Sequence, residues 1–301
     1  MLFEKAYGVG RLGDRQPLGS NTPFEIGSVT KQFTAAAILQ LVDLGKLHLN
    51  TKLGDIVPEY TAGRTVTIRQ LLNQTSGIPN YTTGADLMQV ASTQKPTLGA
   101  VLSRISKTQL DFASGSHWAY SNTNYFLLAT IIARTSGVSY EDYLRRNIFA
   151  KAGLRQTCFI DDERSLTNMP QGYLPGNPPH PSPRVYGGWG AGAGDIVSTA
   201  SDLLKWDDAL LSGIVVPVAD VTLMRRSGTL TNGKNTTYGM GWFINKRRGI
   251  PEVWHNGGTF GFSADNETFP TRQLTIVVLD NDIGADAEDV GQTLFDRLDK
   301  R

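Results

Sequence analysis

The chain has 301 residues and few of the side chains that usually announce chemistry. It has one cysteine, Cys158, and four histidines. A single cysteine excludes an intrachain disulfide and a cysteine-built zinc site. His48, His117, His180 and His255 share no metal-ligand spacing, and a lone histidine is more often a surface or internally satisfied group. An excess of charge is also missing. Lys+Arg number 29 against 28 Asp+Glu, a formal net charge of +1, which argues against a nucleic-acid binder, because such proteins carry a basic excess or stripe. The basic triplet Lys246-Arg247-Arg248 reads as a solvated hairpin tip. No apolar run approaches the ~18 residues that a membrane span needs. Met1-Leu2-Phe3-Glu4 shows no signal-peptide pattern. Gly-x-Ser-x-Gly, His-Glu-x-x-His and P-loop signatures are absent too.

What is present fits a globular protein. Apolar residues make up 40% and charged residues 19%, so disorder is not expected. The length suits one large domain or two modest ones. Residues 2–9 read as a strand. An apolar helix follows over 32–44, with Gly45 as its stop signal. Further helices are expected at 67–72 with Thr67 as cap, at 97–106, at 126–135 before Gly137, at 140–148 behind Ser139, and at 201–211 capped by Ser201-Asp202. Residues 168–194 are rich in proline and glycine, which forbids a helix, and they lack the strand and acid of a dinucleotide fingerprint. Four strands are expected at 238–245, 252–256, 259–269 and 273–280, with short links that imply antiparallel pairing. Residues 286–298 form a closing amphipathic helix. This order predicts an α+β protein: an antiparallel sheet built from both chain ends and flanked by helices, over residues 1–45 and 200–301, with a mostly helical insertion at 46–199.

The stretch that organises this plan is Ser28-Val29-Thr30-Lys31, at the mouth of the 32–44 helix. Residues i and i+3 share a helix face, so Lys31 can lie beside the Ser28 hydroxyl. The helix start offers free N–H groups and a partial positive charge where an oxyanion would form. Ser-x-x-Lys alone is a common spacing, but a lysine within an apolar helix is costly without a partner or a role. Two further triplets keep it company: Tyr120-Ser121-Asn122, and His255-Asn256-Gly257 followed by Gly258.

Together, in this order, these triplets resemble the group of class C β-lactamases, D-alanyl-D-alanine carboxypeptidases and family VIII carboxylesterases. The likeness extends through residues 71–77, 193–199 and 238–242. It implies a β-lactamase/transpeptidase-like fold and a serine hydrolase acylated at Ser28, with no metal or organic cofactor. Lys31 and Tyr120 are the candidates for the base that activates Ser28, and the residues alone do not divide that role. Asn122 would hold Lys31 and the substrate. His255, Asn256 and Gly257 would form a substrate-binding wall, and the N–H groups of Ser28 and Gly258 an oxyanion hole.

The implied partners are small-molecule esters first, with β-lactams as further substrates. D-Ala-D-Ala carboxypeptidase or D-aminopeptidase activity is the alternative, and a non-catalytic β-lactam or peptidoglycan-peptide sensor is the reading from another class. His255 stands where the group often has lysine; it is expected to offer a donor and at most a partial charge, and to capture a substrate carboxylate weakly. The group also carries a helix and a strand ahead of the part resembling residues 2–10. Without them a sheet edge and part of the closing helix are expected to be exposed, which invites self-association, and localisation is not readable.

Overall fold

A computed structural model describes residues 3–13, 15–105 and 109–298, with the backbone alone at 163–165. Leu2 and Ser106, the ends of two expected elements, lie outside these residues.

The central element is α1 (Thr30–Asp43), entered through a 3-10 turn at Gly27–Val29. Phe33, Ala36, Ile38, Leu39 and Leu41 are buried on several of its faces, and so are Thr30, Lys31, Gln32 and Thr34. A helix apolar all round must be covered all round. α1 shares one apolar core with α2 (Ile68–Leu72), α3 (Leu87–Thr93), α4 (Leu98–Ser103), α5 (Asn122–Ser136), α6 (Tyr140–Leu144), α7 (Ala150–Ala152), α8 (Ala200–Leu211) and α9 (Val218–Met224), of which α5, α6, α8 and α9 pack directly on it. Phe33 of α1 stacks on Trp206 of α8 with ring centroids 4.0 Å apart. Burying such an aromatic is worth roughly 1.5–3 kcal/mol.

Short strands tie the start of α1 in place. β1 (Phe24–Glu25) pairs with β5 (Ile196–Ser198), which pairs in turn with β2 (Cys158–Phe159), all antiparallel. β3 (Tyr173–Leu174) and β4 (His180–Pro181) form a separate small hairpin. The main sheet is β6 (Phe243–Arg247), β7 (Ile250–Gly258), β8 (Ser263–Phe269) and β9 (Leu274–Asp280), paired in sequence order with β9 at its edge. α10 (Ala287–Leu298) covers one face, with Phe295 stacked on Phe269 at 3.8 Å. Val290, Leu294 and Leu298 of α10 remain exposed.

The α+β class with antiparallel sheets and flanking helices is as the sequence implies. Thr67 caps α2 in a capping box with Gln70, and Ser139 accepts from the N–H of Asp142. Several expectations are corrected. Residues 3–8 form no strand, and this region contributes only an isolated bridge from Val9 to Pro17. α8 begins at Ala200, and its cap is Thr199, which accepts from Asp202 N–H. α5 starts at Asn122, four residues before the expected 126, because buried polar partners replace apolar periodicity there. The strand expected from 238 begins at Phe243, since Gly241 takes a left-handed turn (φ 80°). No helix among the described residues is long and apolar enough to cross a membrane.

Candidate active site

Ser28 is half-buried in the 3-10 turn that joins β1 to α1. Ile26 N–H donates to Ile196 O, and Ile196 N–H donates to Thr30 Oγ1, so β5 clamps the turn from both sides. Lys31, one helical turn on, is fully buried. Its Nζ lies 2.9 Å from Ser28 Oγ, 2.8 Å from Asn122 Oδ1 and 2.6 Å from Ala193 O. Burial drives the amine well below the usual lysine value; the Asp195 carboxyl acts in the opposite direction and is outweighed.

Burial favours the neutral amine, and its three partners accommodate that form. Carbonyl oxygens only accept hydrogen bonds, while a hydroxyl can donate or accept. A neutral amine has two N–H groups and one lone pair. Given to Asn122 Oδ1 and Ala193 O, the two N–H groups leave the lone pair for Ser28 Oγ–H. Neutral Lys31 thus keeps all three contacts and faces the hydroxyl as a base.

The second wall is built on the loop before α3. Asn122 opens α5, where its backbone N–H donates to Asn80 Oδ1 and its Nδ2 to Thr82 Oγ1 (3.0 Å). These bonds aim Oδ1 at Lys31. Gln74 fixes the neighbouring chain: its Oε1 accepts from Ser121 N–H and Asn124 Nδ2, and its backbone O accepts from Ala119 N–H. Tyr120 then projects over Lys31, with Nζ 4.9 Å from the ring centroid. Its hydroxyl is buried beside the Ser28 hydroxyl. Burial raises the phenol above the ordinary tyrosine value, and the Ser28 hydroxyl opposes this only in part. Tyr120 therefore holds its proton.

The third wall is the end of β7. A Cβ at Gly27 (φ 48°) would lie 2.6 Å from Gly258 N, and one at Gly257 would collide with Ile26 O. Both positions must be glycine for the turn and the strand to meet. Thr259 N–H donates to Phe262 O, so that pair is hydrogen-bonded across the hairpin. Antiparallel pairs alternate, so Gly258, opposite Ser263, turns its N–H away from β8. β6 stops pairing at Phe243↔Trp254, and the Gly258 N–H emerges beyond it, on the side where Ser28 sits.

His255 departs from expectation. It is 1% exposed and does not line the cleft. Its Nδ1 lies 2.6 Å from Asn256 O and its Nε2 3.0 Å from Tyr238 Oη. Because the carbonyl can only accept, Nδ1 carries the proton and Nε2 accepts from Tyr238. Burial pushes the imidazole down to about 3. It carries no partial charge at neutral pH and has no free donor for a substrate. Alternation along β7 explains this, since Val253, His255 and Gly257 share the buried face while Asn256 and Gly258 are exposed.

The structure thus brings Ser28, Lys31, Tyr120, Asn122, Gly257 and Gly258 together around a cleft of ≈ 490 Å³, with Asn256 on its wall and His255 behind it. Sequence reasoning missed Ala193 O, Asn80, Thr82 and Gln74 as the parts that orient Lys31 and Asn122. The stretches 71–77 and 193–199 are distinctive in the sequence, but nothing in them identifies a carbonyl as a lysine's acceptor.

Known proteins were compared with this chain. The family model described as Beta-lactamase matches residues 1–298. Penicillin-binding protein 4* of Bacillus subtilis (strain 168) is 30% identical over 304 residues, covering 93% of this chain and 65% of that protein, so the chain spans just under two thirds of that relative. Among solved structures, the octameric penicillin-binding protein homologue from Pyrococcus abyssi is 25% identical with a TM-score of 0.86, covering 100% of this chain and 71% of that one. The D-stereospecific amidohydrolase from Streptomyces sp. is 26% identical with a TM-score of 0.77, covering 88% of this chain and 84% of that one.

Proposed function

We propose that this chain, which belongs to the beta-lactamase family, is a serine hydrolase that forms an acyl-enzyme at Ser28 and acts on carboxylic esters and small amides. The observation that carries this reading is the Lys31 amine, held by two carbonyl oxygens with its Nζ 2.9 Å from Ser28 Oγ, where its neutral form can take the hydroxyl proton. Lys31 takes the Ser28 proton as Oγ attacks the acyl carbon, a general-base contribution of roughly 10²–10⁴-fold. The N–H groups of Ser28 and Gly258 receive the oxyanion, each worth about 3–4 kcal/mol. Tyr120, protonated and next to Ser28, passes a proton to the departing alcohol or amine. The Lys31 ammonium returns its proton to Tyr120; water then attacks the acyl-enzyme, neutral Lys31 takes its proton and hands it to Ser28 Oγ as the acid is released.

A second reading narrows the substrate to amino-acid amides or short peptides. It is supported by the likeness to the D-stereospecific amidohydrolase and by the withdrawal of His255 from the cleft.

The test is intact-mass spectrometry and peptide mapping after treatment with a fluorophosphonate and, separately, a penicillin. A single adduct on Ser28, absent in Ser28→Ala, is expected. Ester hydrolysis that survives undiminished in Ser28→Ala would sink the proposal, and a stable stoichiometric penicillin adduct without any ester or amide turnover would favour a binding sensor.

A further inference from the structure

With Ser28 read as the nucleophile, the charge of the cleft wall bears on what the substrate carries. Among the described residues lining the cleft none is Lys, Arg or His, and the one charged member is Asp286. Asp286 is exposed, and its Oδ1 accepts the N–H groups of Glu288 and Asp289, which fixes its carboxylate at the start of α10. Glu288 stands beside it, with Oε2 accepting from Nδ2 of Asn256 at 2.9 Å. Residues 280–289 contain Asp280, Asp282, Asp286, Glu288 and Asp289 and no cationic side chain.

The surroundings offset this rim only in part. Beneath α10, both carboxyl oxygens of the fully buried Asp265 lack a hydrogen-bond partner among the described residues. Arg247, whose charge reaches Glu288, is itself bonded to Glu252 at 2.7 Å. His255 is buried and neutral. Burial first and the neighbouring Asp286 second raise the Glu288 carboxyl above its ordinary value, and the more modest pull of Arg247 does not cancel them.

A substrate carboxylate entering this cleft would give up water and meet no cationic side chain among the lining residues, whereas an ammonium would be attracted by the acidic rim. We propose that the cleft selects substrates with a free ammonium group within reach of Asp286 and Glu288, such as amino-acid amides and esters with an unblocked amine, over substrates that carry a carboxylate. Asp286 and Glu288 are then the specificity-determining residues, and Asn256 links them to the third wall.

The test uses the full chain and three 4-nitroanilides of alanine, in both enantiomers: the free amine, the N-acetyl and the N-succinyl compound. Run at about pH 6.5, the free α-amine is protonated, so the series carries positive, zero and negative charge on one leaving group. The free amine should exceed the N-acetyl compound in kcat/KM by about tenfold, with N-succinyl lowest, and salt of about 0.5 M should compress the spread. Asp286→Asn combined with Glu288→Gln should bring the three within about threefold; asparagine keeps the helix cap, so the fold is not the variable. A binding arm reads the same preference without turnover, by calorimetry of alaninamide against N-succinylalaninamide on Ser28→Ala protein. Equal or inverted preference in either arm overturns the proposal. Undiminished anilide hydrolysis by Ser28→Ala would instead fall on the serine-hydrolase reading, and the binding arm would still judge the charge preference.

Discussion

Two buried basic side chains flank Tyr120. Lys31 Nζ lies 4.9 Å from its ring centroid, and the His255 ring is centred 6.0 Å away. Burial lowers both, the imidazole to about 3. Their outcomes differ because their partners differ. Lys31 meets two acceptors and one hydroxyl, so its lone pair is directed at a proton that can be transferred. His255 donates to a carbonyl and accepts from a tyrosine, so neither nitrogen is left to react. Neutralising a base by burial makes it a catalyst only when the freed lone pair faces a reactive group; otherwise it makes a structural bond.

Breaking the Lys31 side of this comparison should have the largest effect. Lys31→Met removes the base, and kcat/KM on a p-nitrophenyl ester should fall about 10³-fold or more. Urea unfolding should show a cost as well, because Asn122 Oδ1 and Ala193 O lose their donor, at about 1–3 kcal/mol for each unsatisfied buried group. Tyr120→Phe should lower turnover by about 10²-fold with unchanged acid-limb pKa, as expected for loss of the leaving-group acid; a mild effect would remove Tyr120 from the chemistry. Asn122→Ala takes away one of the acceptors that aim the amine, and a smaller loss of about 10–100-fold in kcat is expected from misplacement.

The His255 side should respond in stability rather than rate. His255→Gln should change kcat/KM by less than about fivefold while costing about 1–2 kcal/mol through the Tyr238 and Asn256 bonds. Its pH signature has a definite sign. The folded imidazole is pushed down to about 3 from 6.5, so between those values the unfolded chain binds a proton that the native one does not. The stability held by neutral His255 is complete above pH 6.5 and is lost as pH falls towards 3. Urea midpoints at pH 7 and pH 4 should therefore differ less in His255→Gln than in the parent, and an equal difference in both would contradict the buried, neutral assignment.

The sequence made some of this legible, and physics explains which parts. That Ser28, Lys31, Tyr120 and Asn122 lie together was legible because each belongs to a short pattern whose spacing reflects local geometry. Thr67 and Ser139 could be read as caps for the same reason. Thr199 carried the same pattern with Asp202, but adjacent Ser201 competed for it. The strand expected at 2–9 failed because alternation proposes a strand and only a pairing partner makes one. His255 was misjudged because its face depends on the parity of β7 against β8, which is a long-range property. Ala193 O left no trace, since every residue has a carbonyl and only the fold chooses which one meets Lys31.

The central claim, that Lys31 is a neutral base with its lone pair on Ser28, can be observed directly. In protein carrying ¹⁵Nζ/¹³Cε-labelled lysine, with the signal assigned through Lys31→Arg, the Lys31 resonance should show a neutral amine and titrate well below 10.5, in step with the acid limb of kcat/KM. A Lys31 resonance that stays charged up to the ordinary lysine value, while the enzyme is already fully active at neutral pH, would contradict it.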